Sequence, residues 1–303
     1  KPAEDTSLTA IRLGELIMEA GVPPGVFNVV TGLGPEAGQA LAEHMDVDKI
    51  AFTGSTPTGR KIIEAAKGNM KKVALELGGK SPSVVMADAE MDMAIPGAAN
   101  AIFFNGGQVC VAGSRLYVEK KAFDNVVAGI ADIAKGMQMG HGLEQTTQIG
   151  PMVSKVQADR VKSFIDGGVS AVAEVVVGGE QLGDNGTFIS PTVIANTSQD
   201  MAVVQEEIFG PVVVAMPIDS MDDVPAMAND SKYGLAASVW TQDISKATRL
   251  ASDIKAGTVW INCHLMFDAS LPIGGFKESG WSRDSGMQAV ENYLETKTVC
   301  AVV

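Results

Sequence analysis

Residues 49–77 read KIAFTGSTPTGRKIIEAAKGNMKKVALEL, and this stretch decides the predicted fold. The short apolar runs at its two ends, 49–53 and 73–77, are typical of buried strands, and residues 60–66 between them are predicted to form a helix. A strand, a helix and a second strand at this spacing predict a parallel βαβ unit. A glycine-rich loop at 54–59 joins the first strand to the helix.

The same alternation extends in both directions and predicts an α/β protein. Towards the N-terminus we expect a helix at 7–20, a buried strand at 26–30 and a second helix opened by the tight loop at 32–38. Later apolar runs predict strands at 83–86, 115–118, 175–177, 211–216, 237–240 and 258–261. Helical spacing predicts helices at 91–104, 121–134, 154–165 and 244–251. The final run, 296–303, is strand-like, and its hydrogen bonds are expected to go to another subunit.

The composition narrows the class of partner. The formal net charge of the 303 residues is −13, whereas strong binding to nucleic acid requires a basic face, so we expect no nucleic-acid partner. No stretch approaches the roughly 20 apolar residues of a membrane helix, and no apolar signal segment follows Lys1. Three widely spaced cysteines, with no CxxC or HxxxH arrangement, predict neither a disulfide framework nor a metal site. A reducing, cytoplasmic compartment is therefore expected.

Two glycine-rich loops are candidates for binding a phosphate. Residues 32–38 have the spacing GxGxxxG, which differs from the dinucleotide pattern GxGxxG and also suits an ordinary turn between a strand and a helix. Residues 54–59 open a predicted helix, whose N-terminal N–H groups can bind a phosphate. Alternatively, Ser55 or Thr56 simply caps that helix. The loops alone leave both interpretations open.

Cys110 and Glu76 are the candidate catalytic residues. Cys110 follows a polar, glycine-rich turn, whose backbone N–H groups would favour a thiolate and a developing oxyanion, although a lone cysteine is also often a buried, inert side chain. Glu76 stands in an otherwise apolar strand end, where burial would raise its pKa and suit a general base. Its alternative interpretation is an exposed carboxylate on an edge strand.

Several motifs in the right order resemble the aldehyde dehydrogenase superfamily, and the resemblance runs through essentially the whole chain. The motifs are LELGGKSP at 75–82, GQVC at 107–110, EEIFGP at 206–211, FTGS at 52–55 and GGFKESG at 274–280. The resemblance implies that Cys110 attacks an aldehyde to give a thiohemiacetal, which passes hydride to a nicotinamide. It also implies that Glu76 then activates the water that hydrolyses the thioester.

The resemblance also implies a set of cofactor contacts. These would run from the adenosine ribose through the pyrophosphate to the nicotinamide: Lys1 and Glu4, Gly34 and Gly38, Gly54 and Ser55, and finally Leu77, Glu207 and Phe209. A carboxylate at Glu4 accepts hydrogen bonds from ribose hydroxyls but repels a 2′-phosphate, so NAD is expected rather than NADP.

The family fold implies a division of the chain into four parts. Residues 1–78 would be the C-terminal portion of a Rossmann-like cofactor-binding domain, 79–278 an α/β catalytic domain, 279–295 a return to the first domain, and 296–303 an oligomerisation strand. A homo-oligomer, dimer or tetramer, is expected. The family has a further segment before Lys1, with the first strands and an oxyanion-hole Asn. We therefore expect a longer full protein, and no stable activity from this piece alone.

Within the family, residues 260–272 are most similar to phenylacetaldehyde dehydrogenases. Phe104 and Phe267 would line the aldehyde pocket, and Ile273 stands where many relatives carry Phe. The smaller side chain would leave room for a substrate ring, or it is ordinary packing variation. Asp284 stands where the usual pattern has a Glu implicated in proton relay, which leaves that role open here.

Two other functions compete with aldehyde oxidation. Acyl transfer to coenzyme A belongs to a branch of the family that generally lacks the general base, so Glu76 counts against it. A cofactor-binding homologue without turnover is disfavoured by the presence of both Cys110 and Glu76.

Overall fold

The computed structural model describes residues 1–183 and 185–303. Contacts divide the chain into two compact units, Lys1–Ala74 and Leu75–Val303, and the boundary falls inside one strand. The four-part division expected from the family, at 78/79, 278/279 and 295/296, stays a prediction.

The first unit contains the predicted strand–helix–strand segment. In chain order its helices and strands are α1 (Ser7–Glu19), α2 (Gln39–Glu43), β1 (Lys49–Thr53), α3 (Thr56–Ala66) and β2 (Lys72–Glu76). β1 and β2 are neighbours in one sheet, and α2 follows a single π-helical turn, Gly34–Gly38. α3 begins four residues before the predicted start because Ser55 caps it, accepting a hydrogen bond from the N–H of Thr58.

The predicted buried strand at 26–30 is wrong. No strand forms there, and Val26 is 70% exposed. A strand is stable only beside a partner that takes up its backbone hydrogen bonds, and within the described residues no strand pairs with this run. Instead the Asn28 side chain donates to the carbonyl of Gly25, which makes a local turn. An apolar run of this length is typical of a strand, but the pattern does not indicate whether a partner strand is present.

The second unit contains the larger sheet. Its strands are β3 (Pro82–Val85), β4 (Arg115–Glu119), β5 (Glu174–Val177), β6 (Gln181–Leu182), β7 (Phe188–Ile189), β8 (Thr192–Ala195), β9 (Val212–Ile218), β10 (Tyr233–Gly234), β11 (Ala236–Trp240), β12 (Thr258–Ile261), β13 (Phe276–Lys277) and β14 (Gly280–Trp281). In the described residues seven of them form one sheet in the order β12-β11-β3-β4-β9-β8-β5. Neighbouring strands are parallel except for β5, which runs antiparallel to β8. This confirms the predicted α/β class with a parallel sheet.

Helices cover both faces of this sheet. They are α4 (Met91–Phe103), α5 (Phe123–Gly136), α6 (Lys155–Ser170), α7 (Ala202–Gln205), α8 (Val224–Asn229) and α9 (Ile244–Asp253). A further short helix, α10 (Gly286–Glu291), has no buried residue. Val84 belongs to a core packed with α6 to α9, whereas its neighbour Val85 belongs to a core packed with α4 and α5. Alternate side chains of a strand point to opposite faces, so strands buried on both faces are mainly apolar along their whole length. This is why these strands were predictable as continuous apolar runs.

The C-terminal part adds short pairings around the end of β2. β14 pairs antiparallel with β2, which places Gly280 opposite Glu76, and β13 pairs with β10. The predicted strand at 296–303 does not form in the single chain: these residues make no ladder with the described strands, and Val299 is 82% exposed. In the part of the chain that the structure describes, no helix is long and apolar enough to cross a membrane.

One helical glycine gives a test of the packing of α4 on the sheet. A Cβ added at Gly97 would lie 2.1 Å from the ring of Trp240, whereas a Cβ added at Gly167 in α6 would meet nothing within 4 Å. Alanine normally stabilises a helix relative to glycine by about 1 kcal/mol. We expect Gly167→Ala to raise the free energy of unfolding by up to this amount. Gly97→Ala should instead lower it by about 1–3 kcal/mol, because the ring must move.

The measurement is urea unfolding followed by tryptophan fluorescence, with the two variants compared at the same protein concentration. An equal stabilisation by both substitutions would contradict the described packing of Gly97 against Trp240.

Candidate active site

Cys110 lies in a turn that follows directly on α4. The chain leaves the helix through Asn105, Gly106 and Gly107, which have φ values of 51°, 62° and 69°. Three successive left-handed residues reverse the chain sharply, and two of them are the glycines that tolerate this conformation best. The thiol is partly buried at the end of this turn. The predicted setting of Cys110, a glycine-rich turn after a helix, is therefore present.

Two glycines bring three loops into direct backbone contact at Cys110. A Cβ added at Gly79 would lie 2.2 Å from the carbonyl oxygen of Cys110. A Cβ added at Gly107 would lie 2.0 Å from the carbonyl oxygen of Gly210. No side chain fits at either contact, so both positions require glycine. The motifs at 75–82, 107–110 and 206–211, far apart in sequence, therefore meet at one place.

Glu76 lies at the end of β2 with its carboxylate turned inward. Its Oε1 is buried and has no hydrogen-bond partner within the described residues. Burial, together with the negative charge of Asp284, raises the pKa of Glu76 to about 8, while Arg283 acts in the opposite direction. The group is thus mainly protonated at pH 7 and becomes a base just above it. The alternative of an exposed edge carboxylate is wrong for this side chain.

The Cys110 thiol is held in its neutral form. Burial raises its pKa, and the negative charges of Glu207 and Glu76 raise it further. The backbone N–H groups of Val111 and of Cys110 itself lower this pKa, as the turn predicted, but they do not outweigh the other causes. The expected effect of the turn is therefore present, but burial, with the two carboxylates, outweighs it.

Glu207 approaches Cys110 along the surface of Gly78 and Gly79. Its Oε1 accepts a hydrogen bond of 3.0 Å from the N–H of Gly79, and a Cβ added at Gly78 would lie 2.5 Å from Oε2. Burial raises the pKa of Glu207, while the Gly79 N–H and the charge of Lys80 lower it. Leu77, just before, is buried and donates its N–H to the carbonyl of Ser279 at 3.0 Å.

Helix α6 holds the loop that carries Glu207 and Phe209. Phe209 has a φ of 59°, an uncommon conformation for an aromatic residue. The Gln157 side chain donates to the carbonyls of Ile208 at 3.0 Å and Phe209 at 2.8 Å, and Arg160 donates to the carbonyl of Glu207 at 2.8 Å. No sequence pattern predicts a role for these two α6 residues, because each acts only through a contact with a distant loop.

Lys80 is a third residue whose place in the site the sequence did not predict. Its side chain is 1% exposed, and its Nζ has no hydrogen-bond partner within the described residues. Burial, with the nearby charge of Arg115, lowers its pKa to about 7, whereas Glu207 and Glu206 act in the opposite direction. A cation or a neutral amine thus stands beside the carboxylate of Glu207.

In the first unit, the structure brings four of the predicted cofactor residues together. Lys1 forms a salt bridge of 3.1 Å with Glu4, and the Gly34 N–H donates to the same carboxylate oxygen at 2.7 Å. Hydrogen bonds from its own backbone N–H, from Lys1 and from Gly34 lower the pKa of Glu4. A Cβ added at Gly38 would lie 3.7 Å from Cδ of Lys1.

The remaining two cofactor candidates of this unit lie at the N-terminus of α3. Ser55 is the capping residue there, so the capping interpretation is correct for its side chain. Gly54 packs against the ring of Phe52, and an added Cβ would lie 2.5 Å from that ring.

The three predicted pocket residues lie in the second unit. Phe104 follows α4 and is 55% exposed; Phe267 is 57% exposed and meets Trp260 edge-on at 5.5 Å. Ile273 is partly buried and exchanges two backbone hydrogen bonds of 2.8 Å with Asp284. Their contact with a substrate stays a prediction. Among the described residues, no group of three or more His, Cys, Asp or Glu could hold a metal ion.

The family model and the sequence relatives that match this chain all describe aldehyde dehydrogenases. The family model described as "Aldehyde dehydrogenase family" matches residues 1–299. The "Putative aldehyde dehydrogenase DhaS" of Bacillus subtilis is 50% identical over 299 residues, which are 99% of this chain and 60% of that protein. The phenylacetaldehyde dehydrogenase of Pseudomonas fluorescens is 49% identical over 301 residues, with the same coverage. The chain thus spans about 60% of the length of these relatives.

Solved structures agree with the sequence relatives. The NAD⁺ complex of an aldehyde dehydrogenase from Bacillus cereus superimposes with a TM-score of 0.97 at 47% identity, covering 98% of this chain and 61% of that one. A betaine aldehyde dehydrogenase from Staphylococcus aureus in complex with NAD⁺ gives 0.95 at 40% identity, covering 98% and 59%. The resemblance predicted from the motifs is confirmed, and the chain belongs to the aldehyde dehydrogenase family.

Proposed function

We propose that the protein oxidises an aldehyde to a carboxylic acid with NAD as the hydride acceptor. The observation that carries the proposal is the glycine-mediated meeting of Cys110, Gly79 and Glu207, with the unpartnered Glu76 carboxylate in the same electrostatic environment. A thiol and a carboxylate with a pKa near 8 can serve as the nucleophile and the general base of covalent aldehyde oxidation.

In this mechanism Cys110 is the nucleophile. Its Sγ attacks the carbonyl carbon of the aldehyde, the carbonyl oxygen gains a proton, and a thiohemiacetal results. NAD, when bound, would supply the acceptor for the hydride that leaves this carbon; with the hydroxyl proton released to water, the thiohemiacetal becomes a thioester. The turn at 105–110 packs closely against the backbone of Gly79 and Gly210, which restricts its movement.

Glu76 acts in the second half of the reaction. In its ionised form it takes a proton from water, and the resulting hydroxide attacks the thioester and releases the carboxylic acid and the Cys110 thiol. Acyl transfer to coenzyme A would not need this base, so the placement of Glu76 supports hydrolysis.

The residues present fit NAD. The carboxylates of Glu4 and Glu207 can accept hydrogen bonds from ribose hydroxyls, and Glu4 would repel a 2′-phosphate, which favours NAD over NADP. Gly54 and Ser55 stand at the N-terminus of the eleven-residue helix α3, where the helix dipole suits a pyrophosphate. Glu4, Gly54 and Ser55 belong to the first unit, and Glu207 belongs to the second.

We propose an aromatic aldehyde of the phenylacetaldehyde type as the substrate. The relative from Pseudomonas fluorescens bears that name. Ile273, with Phe104 and Phe267, would leave space for a ring and supply apolar contacts to it. We further propose a cytoplasmic homo-oligomer, dimer or tetramer, in which residues 296–303 pair with a neighbouring subunit; the exposed Val299 and Val302 support this.

The assignment of the base is tested by Glu76→Gln. The variant keeps the size of the side chain but cannot take a proton, so we expect steady-state acid formation to fall by at least about 100-fold. The first hydride transfer should survive, because it precedes hydrolysis, and should appear as a burst of one NADH per active subunit in rapid-mixing kinetics. Glu174→Gln, in exposed β5, is the matched control and should behave as the unaltered protein. Full steady-state turnover by Glu76→Gln would refute the assignment.

The pH dependence of thioester hydrolysis tests the charges around Glu76. The base is active when ionised, so the rate should rise with pH, reach half its maximum near pH 8, and level off above it. Asp284→Asn removes the charge that raises this pKa and should move the midpoint to lower pH; Arg283→Gln should move it to higher pH. The rates are measured in single-turnover experiments after acylation. Shifts in the same direction for both variants would contradict this account.

The substrate proposal is tested with a panel of aldehydes. We expect kcat/KM for phenylacetaldehyde to exceed that for acetaldehyde by at least about tenfold. Ile273→Phe should abolish this preference by filling the space for the ring, and Ile273→Leu, of similar volume to the natural residue, should retain it. Equal kcat/KM for the two aldehydes would defeat the aromatic assignment.

A further inference from the structure

His264 lies buried behind the turn that carries Cys110. Its side chain is 7% exposed, and its Nε2 is 2.9 Å from the carbonyl oxygen of Val111, the residue that follows Cys110. Val111 is itself 1% exposed, so water does not reach this carbonyl from the surface. The mechanism above gives His264 no role.

The histidine ring is fixed by packing as well as by this hydrogen bond. It lies against Trp260, with 4.6 Å between the ring centroids and an angle of 50° between the ring planes. The indole of Trp260 is held in turn, since its Nε1 donates to the carbonyl of Met266 at 2.9 Å. On its other side, Cε1 of His264 lies 3.7 Å from where a Cβ of Gly113 would stand.

The hydrogen bond determines the state of the ring. A carbonyl oxygen only accepts, so Nε2 must carry the hydrogen and Nδ1 must be the bare nitrogen of a neutral imidazole. Nδ1 is buried and has no hydrogen-bond partner within the described residues. Burial lowers the pKa of His264 to about 4, with the bond to Val111 acting in the opposite direction. The ring is therefore a neutral, single-tautomer donor over the whole physiological pH range.

The bond to Val111 completes the fixation of one peptide group. The N–H of Ala112 donates to the carbonyl of Val109 at 3.0 Å, which closes a turn with Cys110 and Val111 as its two central residues. The peptide group between Val111 and Ala112 is thus held at its N–H by Val109 and at its carbonyl by His264. A peptide group held at both ends cannot rotate freely, and this restricts the backbone at Val111. The N–H of Val111 belongs to the preceding peptide group, which is joined to the held one at Cα of Val111, and this N–H lowers the pKa of the Cys110 thiol.

We propose that His264 is a positioning residue for the nucleophile: by donating to the carbonyl of Val111 it locks the turn that aims the Cys110 sulfur and the Val111 N–H. The inference rests on the proposed role of Cys110 in aldehyde oxidation. The alternative role of His264 is only to fill space beside Trp260. The two roles require different chemical groups. Holding the Val111 carbonyl requires an N–H donor, whereas filling the space beside Trp260 requires only a ring.

Two variants separate the alternatives. His264→Phe keeps a ring against Trp260 but removes the donor, and His264→Gln keeps an N–H donor without the ring. The readout is the rate of Cys110 alkylation by iodoacetamide between pH 6 and 10, followed by peptide mass spectrometry so that Cys263 is distinguished. Cys300→Ser serves as the common background because Cys300 is exposed.

We expect His264→Phe to slow alkylation of Cys110 by about tenfold at neutral pH and to raise the apparent pKa of the thiol, because a buried carbonyl is left unpaired and the peptide can rotate. His264→Gln should restore most of the rate. A rate for His264→Phe equal to that of the unaltered histidine, or slower alkylation with Gln than with Phe, would overturn the proposal.

A second measurement uses the protein without any substitution, so it does not depend on whether a variant folds. With three histidines in the chain, long-range ¹H–¹⁵N spectra should show one ring as the pure Nε2–H tautomer, unprotonated down to about pH 5. An Nδ1–H tautomer or a protonated ring at His264 would refute the proposal. Alkylation of Cys110 does not depend on turnover. If the His264 variants change the alkylation rate as expected but the protein does not oxidise aldehydes, the proposed function fails and the role of His264 stands.

Discussion

The site depends on one steric constraint, which is that two backbone carbonyls occupy the space where side chains would otherwise be. A Cβ at Gly79 would lie 2.2 Å from the Cys110 oxygen, and a Cβ at Gly107 would lie 2.0 Å from the Gly210 oxygen. Real atoms cannot come so close, so the three loops meet only because both positions are glycine. The loops leave neighbouring parts of the larger sheet, whose parallel strands are rigid because both faces are buried. Close approach without flexibility is what allows backbone N–H groups, rather than mobile side chains, to surround the sulfur.

This close approach has an electrostatic consequence. Cys110 and Glu207 are both partly buried, and the charges of Glu207 and Glu76 each disfavour ionisation of the thiol. Glu76 with a pKa of about 8 and Lys80 with a pKa of about 7 both change charge close to neutral pH. Any positive charge brought near the site favours the ionised thiol and the ionised base together. Nucleophile and base are coupled through burial rather than through a direct hydrogen bond.

The sequence predicted what depends on local pattern and missed what depends on distant contacts. Strands buried on both faces were predictable because they are mainly apolar along their length, and residues 49–77 form two neighbouring strands and the helix between them. The run at 26–30 has the same apolar character but no partner strand within the described residues, and a pattern cannot reveal a missing partner. Gln157 and Phe209 are 52 positions apart, and His264 and Val111 are 153 apart. Such roles follow from the fold alone, whereas Cys110 and Glu76 stand inside recognisable motifs.

The backbone around Cys110 is held in two ways, by side chains that donate hydrogen bonds to carbonyls and by close contacts at glycines. Only the glycines were recognisable from the sequence. On the side of Glu207 the loop is strained, with Phe209 at a φ of 59°, and Gln157 and Arg160 from α6 offset that strain with three hydrogen bonds to carbonyls. On the opposite side a neutral histidine ring holds one carbonyl. Each support binds a backbone oxygen, so any side chain of suitable length that carries a donor can replace it. Glycines admit no such replacement, since only the absence of a side chain meets their requirement, and this is why the motifs that identify the site are glycine motifs.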